Sequence, residues 1–147
     1  MSIEDVEIQI SLSSEWWRDP PFCEIFLDNK AVDRIHVTSK YKDNEKRQVF
    51  FRGNLPFGNH TLTIKYNNKK EDDDIVDVTG QCIHRQMVFL ENLIINKVNL
   101  NIEKSSLNEK VCFKEGDTIP FQNMLFDNCV WNLKFSVPSY LWLMENS

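Results

Sequence analysis

Strict alternation of apolar and polar residues is the feature that most constrains how this chain folds. Residues 6–12 read Val-Glu-Ile-Gln-Ile-Ser-Leu, so every second side chain is apolar. Successive side chains of a strand point to opposite faces, and the pattern therefore predicts a strand with one buried face. No window longer than ten residues carries the apolar spacing of a capped amphipathic helix. The sequence predicts an all-β protein.

Further strands follow at short intervals along the chain. Turn residues separate them, as Asp28-Asn29-Lys30 does between the second and the third strand. The predicted strands after the first are residues 22–27, 32–38, 47–52, 61–66, 85–91, 93–95, 98–102 and 131–137. Many short strands divided by regular turn signals are typical of an antiparallel β-sandwich or jelly roll. We expect residues 1–104 to form this sandwich.

Composition fits one compact domain and excludes several classes of protein. The chain of 147 residues contains ten Phe, four Trp and three Tyr, far too many aromatic residues for a disordered chain. Its net charge of −5 is opposite in sign to the surface that binds nucleic acid. The acidic start, Met1 to Asp5, is unlike a signal peptide, and no apolar run is long enough to span a membrane. We expect neither nucleic acid nor a membrane as a partner, and we expect no export signal.

The residues that carry chemistry are sparse. His36, His60 and His84 are isolated from one another, no serine lies in a Gly-x-Ser-x-Gly elbow, and the four glycines form no phosphate-binding loop. Cysteines at positions 23, 82, 112 and 129 are too far apart for a zinc knuckle or ribbon. Buried free thiols are the expected state, with one or two disulfides as the alternative. The sequence predicts a protein without catalytic activity.

Two segments are candidates for ligand binding. Trp16-Trp17 precedes Asp19-Pro20-Pro21, and an exposed indole offers a flat face for sugar stacking. Adjacent residues of an extended chain point to opposite sides, so we expect one ring in the core and the other in solvent. Tyr66 is a further candidate glycan contact. The second segment is the acidic run after Lys69, in which Asp72, Asp74 and Asp77 are candidate calcium ligands and a solvated loop is the alternative.

The end of the chain is unusually apolar. A chain end is normally polar, yet residues 140–144 are Tyr140, Leu141, Trp142, Leu143 and Met144. If this segment is extended, both of its faces are apolar and both need to be covered. We therefore predict an assembly interface here. Residues 105–147 as a whole are expected to be an irregular C-terminal extension that completes the sandwich or contacts another subunit.

Several segments together resemble the calcium-dependent xylan-binding carbohydrate-binding modules. The resemblance covers a little over half of the chain and rests on residues 20–30 (PPFCEIFLDNK), 49–51 (VFF), 55–68 (LPFGNHTLTIKYNN) and 84–96 (HRQMVFLENLIIN). It implies a small β-sandwich jelly roll. Similar modules occur as small virion proteins of bacteriophages, so the resemblance also implies a structural role in a virus particle.

The chain departs from the family pattern at the metal. Asn68 and His84 stand where the family has acids, and Gln86 replaces an asparagine. Since carboxylates supply the charge that holds calcium, we expect no cofactor. The predicted function is a non-enzymatic structural protein of a virus particle, made in the host cytoplasm, with other virion proteins and itself as partners. The alternative is a free-standing module that binds a glycan, such as one on a host surface, through its exposed tryptophan and acidic loop.

Overall fold

The structure is a computed structural model that describes residues 2–100, 110–113, 116, 118–120 and 123–146. Within these ranges most residues lie in strands. They are β1 (Ile3–Glu15), β2 (Phe22–Leu27), β3 (Lys30–His36), β4 (Arg47–Pro56), β5 (Gly58–Tyr66), β6 (Ile75–Val76), β7 (Cys82–His84), β8 (Met87–Ile95), β9 (Val98–Leu100), β10 (Lys110–Phe113), β11 (Thr118–Pro120), β12 (Met124–Leu125) and β13 (Cys129–Val137). Short 3-10 turns lie at Tyr41–Asp43 and Glu71–Asp73, and helix α1 spans Ser139–Asn146.

Two antiparallel sheets pack against each other as a β-sandwich, which confirms the predicted fold class. Sheet A has the strand order β12-β8-β1-β4, with β9 also paired to β8. Sheet B has the order β11-β10-β13-β5-β2-β3, and β6 and β7 form a separate hairpin. The long strand β1 is hydrogen-bonded on both sides, to β4 and to β8. In sheet B, β5 is paired in the same way between β13 and β2.

The alternation seen in the sequence places one face of each central strand in the core. In β1 the buried apolar residues are Val6, Ile8, Ile10 and Leu12, and in β13 they are Cys129, Trp131, Leu133, Phe135 and Val137. These faces join residues of β2, β5 and β8 in one hydrophobic cluster. A buried aliphatic or aromatic side chain contributes about 1.5–3 kcal/mol, so this cluster is the main source of stability.

Two hairpins have turns that the sequence specifies locally. Asp28 and Asn29 join β2 to β3 with φ of 50° and 66°, and Asn96 and Lys97 join β8 to β9 with φ of 47° and 69°. Positive φ at both central residues is the signature of a type I′ turn, whose twist matches that of the flanking strands. Asn and Asp tolerate this left-handed conformation better than other residues with a side chain.

Most predicted strands are present, and several are longer than predicted. Strand β4 continues through residues 53–56, where the sequence predicts a tight connection, and the turn to β5 is centred on Phe57. Of the predicted strands 85–91 and 93–95, residues 87–95 form one strand, β8, whose register against β1 shifts near Glu91, and residues 85 and 86 precede it. Residues 101 and 102 of the predicted strand 98–102 lie outside the described residues. The hairpin of β6 and β7 was not predicted.

The C-terminal region contributes to both sheets. Strand β13 lies inside sheet B, beside β5, and β10 and β11 follow it toward the edge. Strand β12 pairs with β8 in sheet A. In the expected irregular extension, residues 105–147, the described part before β13 instead contains three short strands. The pairing of these strands completes the sandwich.

The prediction of an extended tail is wrong, because residues 139–146 form helix α1. Leu143 is buried in the core, and the Trp142 ring packs edge-on against Phe135 at a centroid distance of 6.1 Å. Tyr140, Leu141 and Met144 lie on the other face of the helix and are exposed. A single helical turn of apolar residues thus has one face inside the sandwich and one face in solvent. Among the described residues, no helix is long and apolar enough to cross a membrane.

All four cysteines are free thiols in the structure, and Cys23 and Cys129 are buried as predicted. Burial raises the pKa of the Cys129 thiol to about 12, so this side chain behaves as a small neutral hydrophobe at neutral pH. Cys82 is half-buried and Cys112 is exposed. The prediction of burial is therefore wrong for these two residues.

The sandwich has two distinct ends. At the end that we call the loop end, β1 and β5 finish at Glu15 and Tyr66, and the connections after them fold together. At the end that we call the helix end, the backbone N–H of Ser139, the first residue of α1, donates to the Glu4 carboxylate near the start of β1. The length of β1, 13 residues, separates the two ends.

One histidine near the helix end is held by two acceptors. His60 is 6% exposed, with Nδ1 2.5 Å from the Asp28 carboxylate and Nε2 2.7 Å from the Pro56 carbonyl oxygen. Only the doubly protonated imidazolium donates to both. Burial by itself lowers the pKa of His60, but the hydrogen bonds to Asp28 and Pro56 reverse this and raise it above 6.5.

We predict a pH dependence of stability that this histidine causes. Because folding raises the pKa of His60, the two hydrogen bonds of its protonated ring stabilise the fold fully below about pH 6.5. This stabilisation is lost as the pH rises through the pKa of the folded state. The melting temperature should decline by a few degrees over that window, the scale of one titrating group in a domain of this size. His60→Gln should flatten the decline, whereas His36→Gln, at an exposed site, should retain it. Equal profiles for the three proteins would contradict this assignment.

Candidate functional site

The loop end brings together both ligand-binding segments that the sequence suggested. The tryptophan loop, residues 16–21, leads from β1 to β2. The acidic loop, residues 69–77, follows β5, contains the 3-10 turn and enters the hairpin of β6 and β7. Residues far apart in sequence therefore meet at the loop end of the sandwich, because β1 and β5 both finish there.

Trp17 is the aromatic residue on which the site is built. Its ring is 38% exposed and stacks on the His84 ring with a centroid distance of 4.7 Å and an interplanar angle of 19°. Its indole N–H donates to the backbone oxygen of Asp73 at 2.9 Å. The guanidinium of Arg18 lies 5.3 Å from the ring centroid, within cation–π range. These contacts fix the ring in one orientation while leaving part of it in solvent.

Trp16 has a different set of neighbours. The ammonium group of Lys40 lies 4.2 Å from the centre of its ring, and the indole N–H donates to the backbone oxygen of Thr38 at 3.3 Å. The ring lines a separate cleft of about 160 Å³ beside Tyr41. The two rings thus diverge as expected, but neither is in the core. The prediction that one of them is buried is wrong.

Arg18 joins the tryptophan loop to the acidic loop. Its guanidinium donates two hydrogen bonds to the carboxylate of Asp72, each 2.9 Å long, and a third of 2.8 Å to Asp73. Bidentate pairing of this kind fixes geometry as well as adding energy. The hydrogen bonds from Arg18 lower the pKa of Asp72 to about 2, so this carboxylate is ionised throughout the physiological range.

The other aspartates of the acidic loop also accept hydrogen bonds from groups of the protein. Asp73 is 2% exposed and accepts from Arg18 and from the backbone N–H of Lys70. Asp74 accepts from the ammonium of Lys69 at 2.8 Å and from the backbone N–H of Gln86 at 3.1 Å. Asp77 accepts from the Thr79 side chain and from backbone N–H groups of its own turn. Those hydrogen bonds, with the Thr79 side chain first, lower the pKa of Asp77.

The prediction that Tyr66 contacts a glycan is wrong, because this residue is only 1% exposed. Its hydroxyl donates to the side-chain oxygen of Gln86 at 2.5 Å, and the Gln86 amide donates to the Asp19 carbonyl oxygen at 2.7 Å. Burial raises the pKa of the Tyr66 hydroxyl, which stays protonated. The three residues form a chain of hydrogen bonds that holds the tryptophan loop against the core.

Positions at which the chain departs from the resembled family make protein contacts instead of ligand contacts. The side chain of Asn68 accepts from the backbone N–H of Phe22 at 2.7 Å and donates to the Pro20 carbonyl oxygen at 3.1 Å. His84 stacks on Trp17, and Gln86 belongs to the chain of hydrogen bonds from Tyr66. Each of these side chains therefore holds the tryptophan loop in place.

The acidic loop does not fit a calcium ion. Calcium takes six to eight oxygen ligands, several of them carboxylates with free lone pairs. Both carboxylate oxygens of Asp72 and of Asp74 accept hydrogen bonds from nitrogen donors, and Oδ1 of Asp77 accepts three hydrogen bonds within its own turn. In the described part of the chain, no three side chains of His, Cys, Asp or Glu form a group that could hold a metal ion.

Sequence reasoning missed the residues that organise this end. Arg18, Lys69 and Gln86 carry no local signal, since each acts on a partner more than fifty residues away in the chain or across a loop. The one hint is the position of Arg18 between the tryptophan pair and Pro20. Residues 140–144, which the sequence predicts to be an assembly interface, lie at the helix end and take no part in this site.

Comparisons with known proteins agree with the fold. No protein-family model and no curated protein matches the sequence. The solved structure of vCBM60 in complex with galactobiose is similar, with TM-score 0.53 and 10% sequence identity over 86% of this chain and 96% of that chain. A selenomethionine form of vCBM60, described with two families of calcium-dependent carbohydrate-binding modules, also has TM-score 0.53 and 10% identity, over 89% and 90% of the respective chains. The chain has a carbohydrate-binding-module-like fold.

Proposed function

We propose that this protein is a non-catalytic glycan-binding module whose binding site is the loop end, with Trp17 as the stacking platform. The observation that carries the proposal is a partly exposed indole held rigid by a ring stack and a hydrogen bond. A rigid aromatic ring binds at a low entropic cost, because little side-chain freedom is left to lose. The carbohydrate-binding-module-like fold supports this interpretation.

Polar groups around Trp17 supply the hydrogen bonds that a sugar requires. The carboxylates of Asp72 and Asp19 have side chains that are 70% and 52% exposed, and Arg18 lies between them. Charged planar groups of this kind make strong hydrogen bonds to hydroxyl groups. The exposed carboxylate of Asp19 next to the stacked ring would orient a sugar whose apolar face lies on the indole.

The charge of the loop end favours a neutral glycan over an anionic one. Acidic side chains outnumber basic ones there: Glu15, Asp19, Glu71, Asp72, Asp73, Asp74 and Asp77 against Arg18, Lys69, Lys70 and Arg85. Repulsion between like charges disfavours uronic or sulfated sugars at such a surface. Neutral oligosaccharides of galactose or xylose are the first ligands to test, because the similar structure contains galactobiose and the resembled family binds xylan.

We predict that Trp17→Ala weakens glycan binding at least tenfold, which corresponds to about 1.4 kcal/mol. The removed ring is the stacking surface, so the loss should be in affinity and not in folding. Isothermal titration with galactobiose and with xylo-, gluco- and manno-oligosaccharides measures it, and circular dichroism checks the fold. Trp16→Ala is the matched control and should bind as the unaltered chain does. Failure of the unaltered chain to bind any of these neutral sugars, or loss of binding only in Trp16→Ala, would contradict the proposal.

A second candidate function, assembly, is favoured by the exposed face of α1. Tyr140, Leu141 and Met144 are 61%, 51% and 78% exposed, while the opposite face of the same helix is in the core. Contiguous exposed apolar groups are typical of protein contact sites. Self-association, or a place in a virus particle made in the host cytoplasm, is the specific form of this candidate.

We predict for this candidate that the chain forms an oligomer through α1. Substituting Leu141→Glu together with Met144→Glu places two charges on the exposed face without touching Leu143, so the protein should stay folded and become monomeric. Light scattering after size-exclusion chromatography measures the mass. Val78→Glu, at a fully exposed apolar site on the hairpin of the loop end, is the control and should leave the oligomer intact. A monomeric unaltered chain would remove this candidate.

A further inference from the structure

The negative charge of the acidic loop is neutralised by side chains of the protein, where a metal site would use a bound cation. Its residues Asp72, Asp73 and Asp74 are consecutive, and three adjacent carboxylates repel one another unless cations neutralise them. Modules described as calcium-dependent have the same fold as this chain. The described residues provide another source of positive charge, which lies on the protein itself.

We infer that the side chains of Arg18 and Lys69 together replace a divalent cation, so that this loop end is built and held without metal. The two groups carry a charge of +2, as a calcium ion does. Arg18 belongs to the tryptophan loop, and Lys69 is the first residue of the acidic loop. Arg18 pairs with Asp72, and Lys69 pairs with Asp74.

Lys69 is built into the structure as a buried cation. Its side chain is only 8% exposed, and the ammonium donates to Asp74 at 2.8 Å and also to the carbonyl oxygen of Phe126. The backbone of the same residue exchanges two hydrogen bonds with the Asn128 side chain, of 2.8 and 2.9 Å. Lys69 therefore joins the acidic loop to the segment that leads into β13.

Arg18 completes the arrangement on the other aspartates. It neutralises the buried carboxylate of Asp73 at 2.8 Å and the exposed carboxylate of Asp72 at 2.9 Å. A buried carboxylate without a cation or full hydrogen bonding is strongly destabilising, so Asp73 requires this partner. With Arg18 and Lys69 in place, the carboxylates of Asp72, Asp73 and Asp74 each have a cationic partner on the protein itself.

The inference concerns how the loop is held and does not rest on glycan binding, but it bears on the proposed site. Trp17 is bonded to the backbone of Asp73, which Arg18 neutralises. The orientation of the indole thus depends on side-chain cations of this chain. Binding of a sugar at Trp17 should then be independent of calcium.

Thermal melting with and without calcium tests the inference on the unaltered chain. A ligand at 100 times its dissociation constant raises the melting temperature of a domain of this size by about 5–10 °C. We expect instead the same melting temperature, within about 1 °C, in millimolar calcium chloride and in EDTA, since the described residues contain no group of three acidic, His or Cys side chains that could hold the ion. A rise of several degrees with calcium would overturn the inference, whatever the outcome of the glycan titrations.

Substitution of the buried cation provides the second arm. In EDTA, Lys69→Met retains a side chain of similar length but leaves Asp74 without its cation. We expect the melting temperature to be several degrees lower. Lys70→Met, an exposed neighbour with the same charge change, is the matched control and should melt within about 1 °C of the unaltered chain. Adding Asp74→Asn to Lys69→Met should recover part of the loss, because the carboxylate left without a cation is removed. Equal melting of the Lys69→Met and Lys70→Met proteins would overturn the inference, and if Lys69→Met does not fold, the calcium melts and the double variant decide it.

Discussion

The loop end depends on one ion pair, between the exposed guanidinium of Arg18 and the buried carboxylate of Asp73. Asp73 is 2% exposed, and an ionised carboxylate in that position is tolerated only when cations and N–H groups surround it. Arg18 supplies the cation, Lys70 supplies a backbone N–H, and the backbone oxygen of Asp73 in turn accepts from Trp17. The pair therefore couples two loops that are more than fifty residues apart and positions the partly exposed ring of Trp17.

The sandwich beneath this pair provides the rigid support. Strands β1 and β5 are each hydrogen-bonded on both sides, and their ends deliver the tryptophan loop and the acidic loop to the same edge. Tyr66, at the last position of β5, reaches through Gln86 to Asp19 and fixes the distance between core and loop. A binding site on such a support needs little rearrangement when a ligand arrives, which is the condition under which a small stacking contact gives useful affinity.

The sequence predicted well where a local pattern decides the structure. Alternation over residues 6–12 identified β1 and its core face, and Asp28-Asn29 identified a tight turn, because both depend only on adjacent residues. It failed where partners are distant or a pattern is ambiguous. Residues 140–144 are apolar at every position, so their periodicity does not separate strand from helix, and the pairing of Arg18 with Asp73 has no local signal. Tyr66 has the same side chain whether it binds a sugar or fills the core, and burial alone decides between the two.

The central claim is that Trp17 binds a neutral sugar at the loop end, and the indole N–H signals of the four tryptophans test it most directly. In a titration with a neutral oligosaccharide followed by ¹H–¹⁵N correlation spectra, the Trp17 signal should move in proportion to saturation. The signals of Trp131 and Trp142, which lie in and against the core, should stay in place. A Trp17 signal that does not change while other signals shift would contradict the account and place the ligand elsewhere on the sandwich.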